Sequence, residues 1–386
     1  MLTRLRGVIA AMIVPLMLGL GGCINSPDRT GFTTAALPGT AATPAATERL
    51  FVATPRMASA DPAILFSSGR SATLNYADLS VGVPGEREAG AINMPGRSVN
   101  PDKEFRITAA ERLAGREAFS ARLAETFAAR PAGRRTAILY VHGFDVSFAS
   151  GVFRQAQLMH DFALDGVAVH YSWPSAGRAA LYLYDRDSAD FARGGLAETL
   201  STVVAAGAES VVVFAHSMGG NVVMEALREL GLERRVDVLG RIEAVVLAAP
   251  DIDGDLFRAE LARIDPRPGT IVALVSPRDR ALRMSSGLRG GRGRIGLGLE
   301  EDVAGLAALG VHVVDTTRYD QSKDPYRHNI FTGSPTLIRL LRNGGGLGAV
   351  ARGKDMALSD GLFLATDFLS ALISLPARTV DALEGG

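Results

Sequence analysis

The chain has 386 residues, 47% of them hydrophobic and 21% charged, which is ordinary for a globular protein with a sizeable core. Lys plus Arg and Asp plus Glu both number 41, so the formal net charge is zero, and nothing electrostatic points to nucleic acid or to a strongly charged partner. The single cysteine excludes an internal disulfide framework and a cysteine-based structural zinc site.

Residues 1–23 (MLTRLRGVIAAMIVPLMLGLGGC) begin with Arg4 and Arg6, continue through an apolar stretch and finish on small residues. That is the layout of a secretory signal peptide. The ending Leu20-Gly21-Gly22-Cys23 is similar to a bacterial lipobox, which implies a lipid on Cys23 and attachment to a membrane at the cell envelope. A plain signal peptide or an uncleaved anchor is the alternative, although Gly7–Gly22 is short for a membrane span and contains Pro15. Ile24 stands where an Asp would favour inner-membrane retention, so the outer membrane is expected if the host is Gram-negative. Residues 24–48, rich in Ala, Thr, Pro and Gly, read as a flexible tether.

Eight short apolar, β-branched runs follow: Leu50–Ala53, Ala77–Val83, Thr136–His142, Val167–Ser172, Ser210–Ala215, Ile242–Ala249, Thr270–Ser276 and Val311–Asp315. The last six are nearly continuous in apolar residues, as parallel strands covered on both faces require. Helix-like stretches such as Phe148–Leu164 and Leu196–Ala206 separate them. Strand–helix alternation predicts an α/β fold, a mostly parallel, doubly wound sheet of eight strands with flanking helices, over residues 49–342. The glycine-rich basic run Gly290–Arg294 reads as a flexible loop. The tail, residues 343–386, holds an apolar helical pattern at Leu362–Leu375, too short to span a bilayer and suited to packing on the domain or to a membrane surface.

The segment Ser210–Gly220 (SVVVFAHSMGG) runs from an apolar strand straight into Ser217 and on into a helical stretch. A serine on such a strand-to-helix turn projects its hydroxyl from the sheet edge at the positive end of a helix, and the tight turn demands small neighbours, here Ala215 and Gly219. Small-x-Ser-x-Gly alone is common in a chain with 43 glycines; the strand before and the helix after give it weight. A serine nucleophile needs a histidine base and an orienting acid. Beyond Ser217 stand His312, within an apolar strand and best read as packed, and His328, in the polar loop Tyr326–Phe331 after the last strand. His328 is the expected base. Asp279 and Asp251 both follow strands at carboxyl ends, where sites of open α/β sheets gather. Asp279 is favoured, with Asp251 as the alternative, and Asp251 and Asp253 otherwise serve as helix caps. Two backbone N–H donors are expected to face a substrate oxyanion, from Met218 and from Phe144 in the turn Tyr140–Asp145, with His142 and Asp145 supporting that turn. Trp173 and the tyrosines of 171–187 fall near a substrate pocket or partial lid, or pack the core.

In order, YVHGF, YSWPS, Tyr184-Asp185-Arg186-Asp187, AHSMGG, APDID and HNIF resemble the α/β-hydrolase superfamily, within it a bacterial esterase/lipase-like branch of unknown function. The resemblance covers roughly residues 49–342 and implies Ser217, Asp279 and His328 as a catalytic triad, with no metal or organic cofactor. Ala215 stands where glycine is commoner. The resemblance supplies no particular substrate; a carboxylic ester, small-molecule or lipid, is the default for the fold it implies. Acyl transfer on the same triad, or a non-catalytic envelope lipoprotein that keeps the fold, are the rival readings.

Overall fold

The computed structural model describes residues 44–343 apart from 62–63, 96–99, 292 and 322. The signal segment with Cys23, most of the tether and the tail from residue 344 lie outside the described residues. The strands are β1 (Ala46–Ala58), β2 (Phe66–Val83), β3 (Arg106–Leu113), β4 (Thr136–Val141), β5 (Val167–Tyr171), β6 (Ser210–His216), β7 (Ile242–Ala248), β8 (Thr270–Val275) and β9 (Val311–Asp315). The helices are α1 (Arg116–Ala128), α2 (Phe148–Asp161), α3 (Tyr182–Ala205), α4 (Met218–Leu232), α5 (Gly254–Leu261), α6 (Arg280–Leu288), α7 (Glu300–Ala308) and α8 (Pro335–Asn343), with short helical turns at Val236–Leu239 and Ile330–Gly333.

One sheet holds all nine strands in the order β3-β2-β1-β5-β4-β6-β7-β8-β9. Every pairing from β1 to β9 is parallel; β2 is antiparallel to both β1 and β3. Alternation along each strand sends neighbouring side chains to opposite layers. Phe51, Leu139, Val141 and Val213 meet Phe119 of α1, Leu200 of α3 and Val222 of α4. Their sequence neighbours Leu50, Val52, Ile138, Tyr140 and Val212 meet Phe153 of α2 and Ile338 of α8 on the other face. Both faces are covered, which is why these runs carry so few polar residues, and each buried Leu or Phe stabilises by about 2 kcal/mol. The crossovers leave β4 on both sides, toward β5 and toward β6. In open α/β sheets the ligand site falls at such a switch point, beyond the carboxyl ends of the strands.

The sheet has nine strands where eight were expected. β3 (RITAAERL) was missed because only one of its faces is covered: Ile107 is buried while most of its other side chains are open to water. β1 and β2 extend well beyond their apolar runs for the same reason, as an antiparallel hairpin whose outer half is polar. His312 also departs from expectation. It is exposed rather than packed: β9 is an edge strand, and the cover that buries Val314 on the same face does not reach His312.

Candidate active site

β6 ends at His216 and α4 begins at Met218, so Ser217 makes the turn alone. Its backbone sits at φ 53°, ψ −122°, a conformation that costs a residue with a Cβ about 1–3 kcal/mol unless its surroundings hold it. They do: the Ser217 N–H donates to Ala248 O at 2.9 Å, and the Ser217 carbonyl accepts from Gly220 N–H at 3.0 Å and Asp251 N–H at 3.2 Å. The sharp bend drives α4 against the loop after β4. A Cβ on Gly219 would lie 2.3 Å from the His142 carbonyl oxygen, and one on Gly143 would lie 3.0 Å from Ser217 Cβ. Glycine is required at both positions by close approach, and Ala215 is buried as a small residue must be.

Asp279 caps α6, accepting from Leu282 N–H at 2.9 Å through Oδ1. Its Oδ2 meets His328 Nδ1 at 2.6 Å. Asp279 is 1% exposed on its side chain and His328 13%, so the pair is shielded yet the ring retains an open edge. Burial pulls the His328 pKa down, but the Asp279 charge and hydrogen bond outweigh it, and the net direction is upward. His328 reaches this place from a loop beyond β9, and Asp324 holds that loop. Its carboxylate accepts from the N–H groups of Tyr326 (2.9 Å), His328 (2.9 Å) and Asn329 (3.0 Å), and from Asn329 Nδ2 (2.8 Å). Burial pushes Asp324 up, these donors more than offset it, and its carboxyl stays below the usual range. His216, the residue before Ser217, joins the serine turn to the histidine loop. Its ring centroid is 4.7 Å from that of His328, and its Nε2 lies 3.3 Å from the His328 carbonyl oxygen. Burial, then the neighbouring His328, lower the His216 pKa to about 3, so it stays neutral.

Asp251, the other candidate acid, faces elsewhere. It accepts from the Ser285 hydroxyl at 2.7 and 2.9 Å and from Tyr182 OH at 3.4 Å, and Arg294 Nε stands 3.3 Å away as a charge contact. Arg294 is 1% exposed, so the run read as a flexible loop ends in a buried cation anchored by Asp251. Asp251 caps no helix; Asp253 does, accepting from Asp255 and Leu256 N–H at the start of α5.

Phe144 and Met218 lie on the two segments that Gly143 and Gly219 bring together. Among the described residues neither amide N–H has a protein acceptor, whereas the next two after Phe144 are taken, Asp145 N–H by Asp185 and Val146 N–H by Ser175. His142 is a strut: its Nε2 lies 3.1 Å from Trp173 O, Trp173 Nε1 donates to His142 O at 2.7 Å, and the rings stack at 4.9 Å. Trp173 is fully buried and packs the core instead of lining a pocket. Burial, then Asp185, push the Asp145 carboxyl up to about 7. Sequence reasoning gave no role to Asp324, His216 or Asp185, although the last two stand in motifs that carry the family resemblance; Asp324 has a local signal of its own, the Asp324-Pro325 turn just before His328. No group of three or more His, Cys, Asp or Glu among the described residues is arranged to hold a metal ion.

A parallel sheet bearing a strained serine turn at its switch point, joined through His216 to a loop that carries a histidine–aspartate pair, has the form of an α/β hydrolase. A family model described as "Alpha/beta hydrolase of unknown function (DUF900)" matches residues 117–344, more than half of the chain, and the chain belongs to that family. No curated protein matches it. Among solved structures the chain is similar to esterase B from Lactobacillus rhamnosis, solved with a C4-C4 SN3 tributyrin phosphonate. The likeness is 12% in identity and 0.28 in TM-score, over 49% of this chain and 65% of that one, so less than two thirds of the esterase is spanned. A likeness this weak says nothing about the chemistry of this chain.

Proposed function

We propose that the protein is a serine hydrolase of carboxylic esters, acting through an acyl-enzyme on Ser217. The observation that carries this reading is the 2.6 Å contact of Asp279 with His328 Nδ1, on a loop that His216 joins to the strained turn of Ser217. A hydrogen bond at Nδ1 fixes the tautomer that leaves Nε2 as the proton acceptor. In the reaction His328 takes the Ser217 proton as Oγ attacks the ester carbonyl. The oxyanion forms between the amides of Met218 and Phe144, and the alcohol leaves with the proton from His328. Water, deprotonated by the same ring, then releases the acid. The uncommitted amides support this assignment, since a donor already bonded within the protein cannot follow charge onto the substrate. The reading extends to the cell envelope, with Cys23 carrying the lipid and an ester of a lipid or short-chain acid as substrate.

Fluorophosphonate labelling of a chain beginning at residue 24 tests the chemistry. One probe per chain is expected, lost in Ser217→Ala and His328→Ala. Absence of labelling in folded wild-type chain would remove the main support and leave a binding role for the fold. For the anchor, expression with an alkyne-tagged fatty acid should label the membrane-associated wild-type chain and not Cys23→Ser. Equal labelling of both sinks the lipid assignment.

A further inference from the structure

The motif Tyr184-Asp185-Arg186-Asp187, in the first turns of α3, has no part in the triad. Asp185 is nonetheless fully buried. A carboxylate taken out of water must find donors or give up its charge. Asp185 finds three: Oδ1 accepts from Ala176 N–H at 2.6 Å, and Oδ2 accepts from the Ser175 hydroxyl at 2.5 Å and from Asp145 N–H at 3.1 Å. Asp145 directly follows Phe144 and has φ 58°, a left-handed state uncommon for a residue with a Cβ. Such a turn persists where its neighbours over-determine it. Here Ser175 Oγ also accepts Val146 N–H at 3.0 Å, and Arg56 Nη2 donates to the Val146 carbonyl at 2.9 Å. One turn before Asp185 on the same side of α3, Tyr182 sets its ring edge-to-face on Phe144, centroids 5.2 Å apart. Residues 144–146 are therefore fixed by a ring, two amides and a carbonyl, while the Phe144 N–H is left without a protein acceptor.

We infer that Asp185 is a positioning residue for the oxyanion hole, holding the Asp145 peptide in its left-handed turn so that the Phe144 N–H faces the substrate oxygen. This rests on the ester-hydrolase reading above. Asp185 touches no reacting atom. A donor aimed at developing negative charge stabilises the transition state more than the ground state, so its misalignment lowers kcat and leaves KM.

The test compares the full-length chain in detergent with Asp185→Asn and with Asp187→Asn, an exposed carboxylate of the same motif. Hydrolysis of p-nitrophenyl butyrate, end-point fluorophosphonate labelling and affinity for an alkyl trifluoromethyl ketone, which forms an oxyanion on Ser217, are measured. For Asp185→Asn, kcat per labelled site is expected to fall roughly 10- to 100-fold with KM within about two-fold, and ketone affinity to fall in step with kcat/KM. The acid limb of the pH profile, set by His328, stays where it is in the wild type, and Asp187→Asn behaves as wild type. A purely structural role would instead lower labelling end point and Tm together while kcat per labelled site held. That result, or an equal loss in Asp187→Asn, overturns the inference. Should Asp185→Asn not fold, Ser175→Ala, which cuts the link from the carboxylate to Val146, is expected to lower kcat per site by roughly 3- to 10-fold, and an unchanged kcat overturns the inference equally. A wild-type chain that neither labels nor hydrolyses fails the hydrolase reading itself; an active wild type matched by Asp185→Asn sinks only this one.

Discussion

The contact of Asp279 with His328 sets two measurable quantities at the scale of single residues. Because the pKa of His328 is raised, the neutral base is lost as pH falls, and kcat/KM should decline below a midpoint above the ordinary histidine value of about 6.5. Asp279→Asn removes the charge that raises it, so the midpoint should move to lower pH while kcat falls by about 10²- to 10⁴-fold; a pH–rate profile of both proteins checks this. Asp251→Asn separates the two acids differently. It strips a buried arginine of its nearer carboxylate, leaving Asp253 at 4.0 Å, and should cost about 3 kcal/mol of stability, read as a lower Tm, while kcat per folded chain stays within a few-fold. The serine turn and the histidine loop were legible because strand, turn and helix are local patterns. Asp279 and Asp251 were not separable there, since both follow strands at the same edge of the sheet and only the tertiary contact of Asp279 with His328 tells them apart. Asp324 acts mostly through backbone N–H groups, which every residue carries, so only its Asp-Pro turn and the nearby Asn329 mark it in the sequence.

Among elements, the crossing of α4 beneath the β4 loop is the least forgiving. Gly219→Ala places a methyl against two backbone carbonyls, which cannot swing aside as a side chain can, and should cost about 3 kcal/mol together with most fluorophosphonate labelling. Thermal melts and labelling stoichiometry test both halves. The packing of α4 against α5 hides a second sensitivity. Glu260 is 1% exposed, neither of its carboxyl oxygens accepts a donor among the described residues, and burial, then the facing Glu225 carboxyl, push it up to about 9. A carboxyl whose folded pKa lies above its unfolded value near 4.5 gives stability that is full below about pH 4.5 and fades as pH climbs toward about 9. Glu260→Gln, neutral throughout, should melt a few degrees higher than wild type at about pH 9 and lose that advantage near pH 5. The parallel strands were legible because coverage on both faces writes an unbroken apolar run. β3 and the outer β1–β2 hairpin were not, because a strand open to water on one face shares its composition with loops.

For the molecule as a whole, the matched family region starts at residue 117, yet β1 lies inside the sheet, paired parallel with β5 from Leu50–Ala168 to Ala53–Tyr171. It also sends Arg56, buried at 1% exposure, across to Ser172 Oγ, Ser175 O and Val146 O. The stretch shared with the family and the stretch that folds are therefore different lengths. A polypeptide trimmed to 117–344 would bare the edge of β5 and strand the carbonyls that Arg56 satisfies, and should precipitate when expressed, whereas one spanning 44–343 should stay in solution and take the probe. A trimmed chain that is soluble and labels fully would show the hairpin to be dispensable. Otherwise a graft, swap or minimal domain cut from this chain at the family boundary carries six of the nine strands, and the part left behind is the part whose Arg56 steadies the loop after β4.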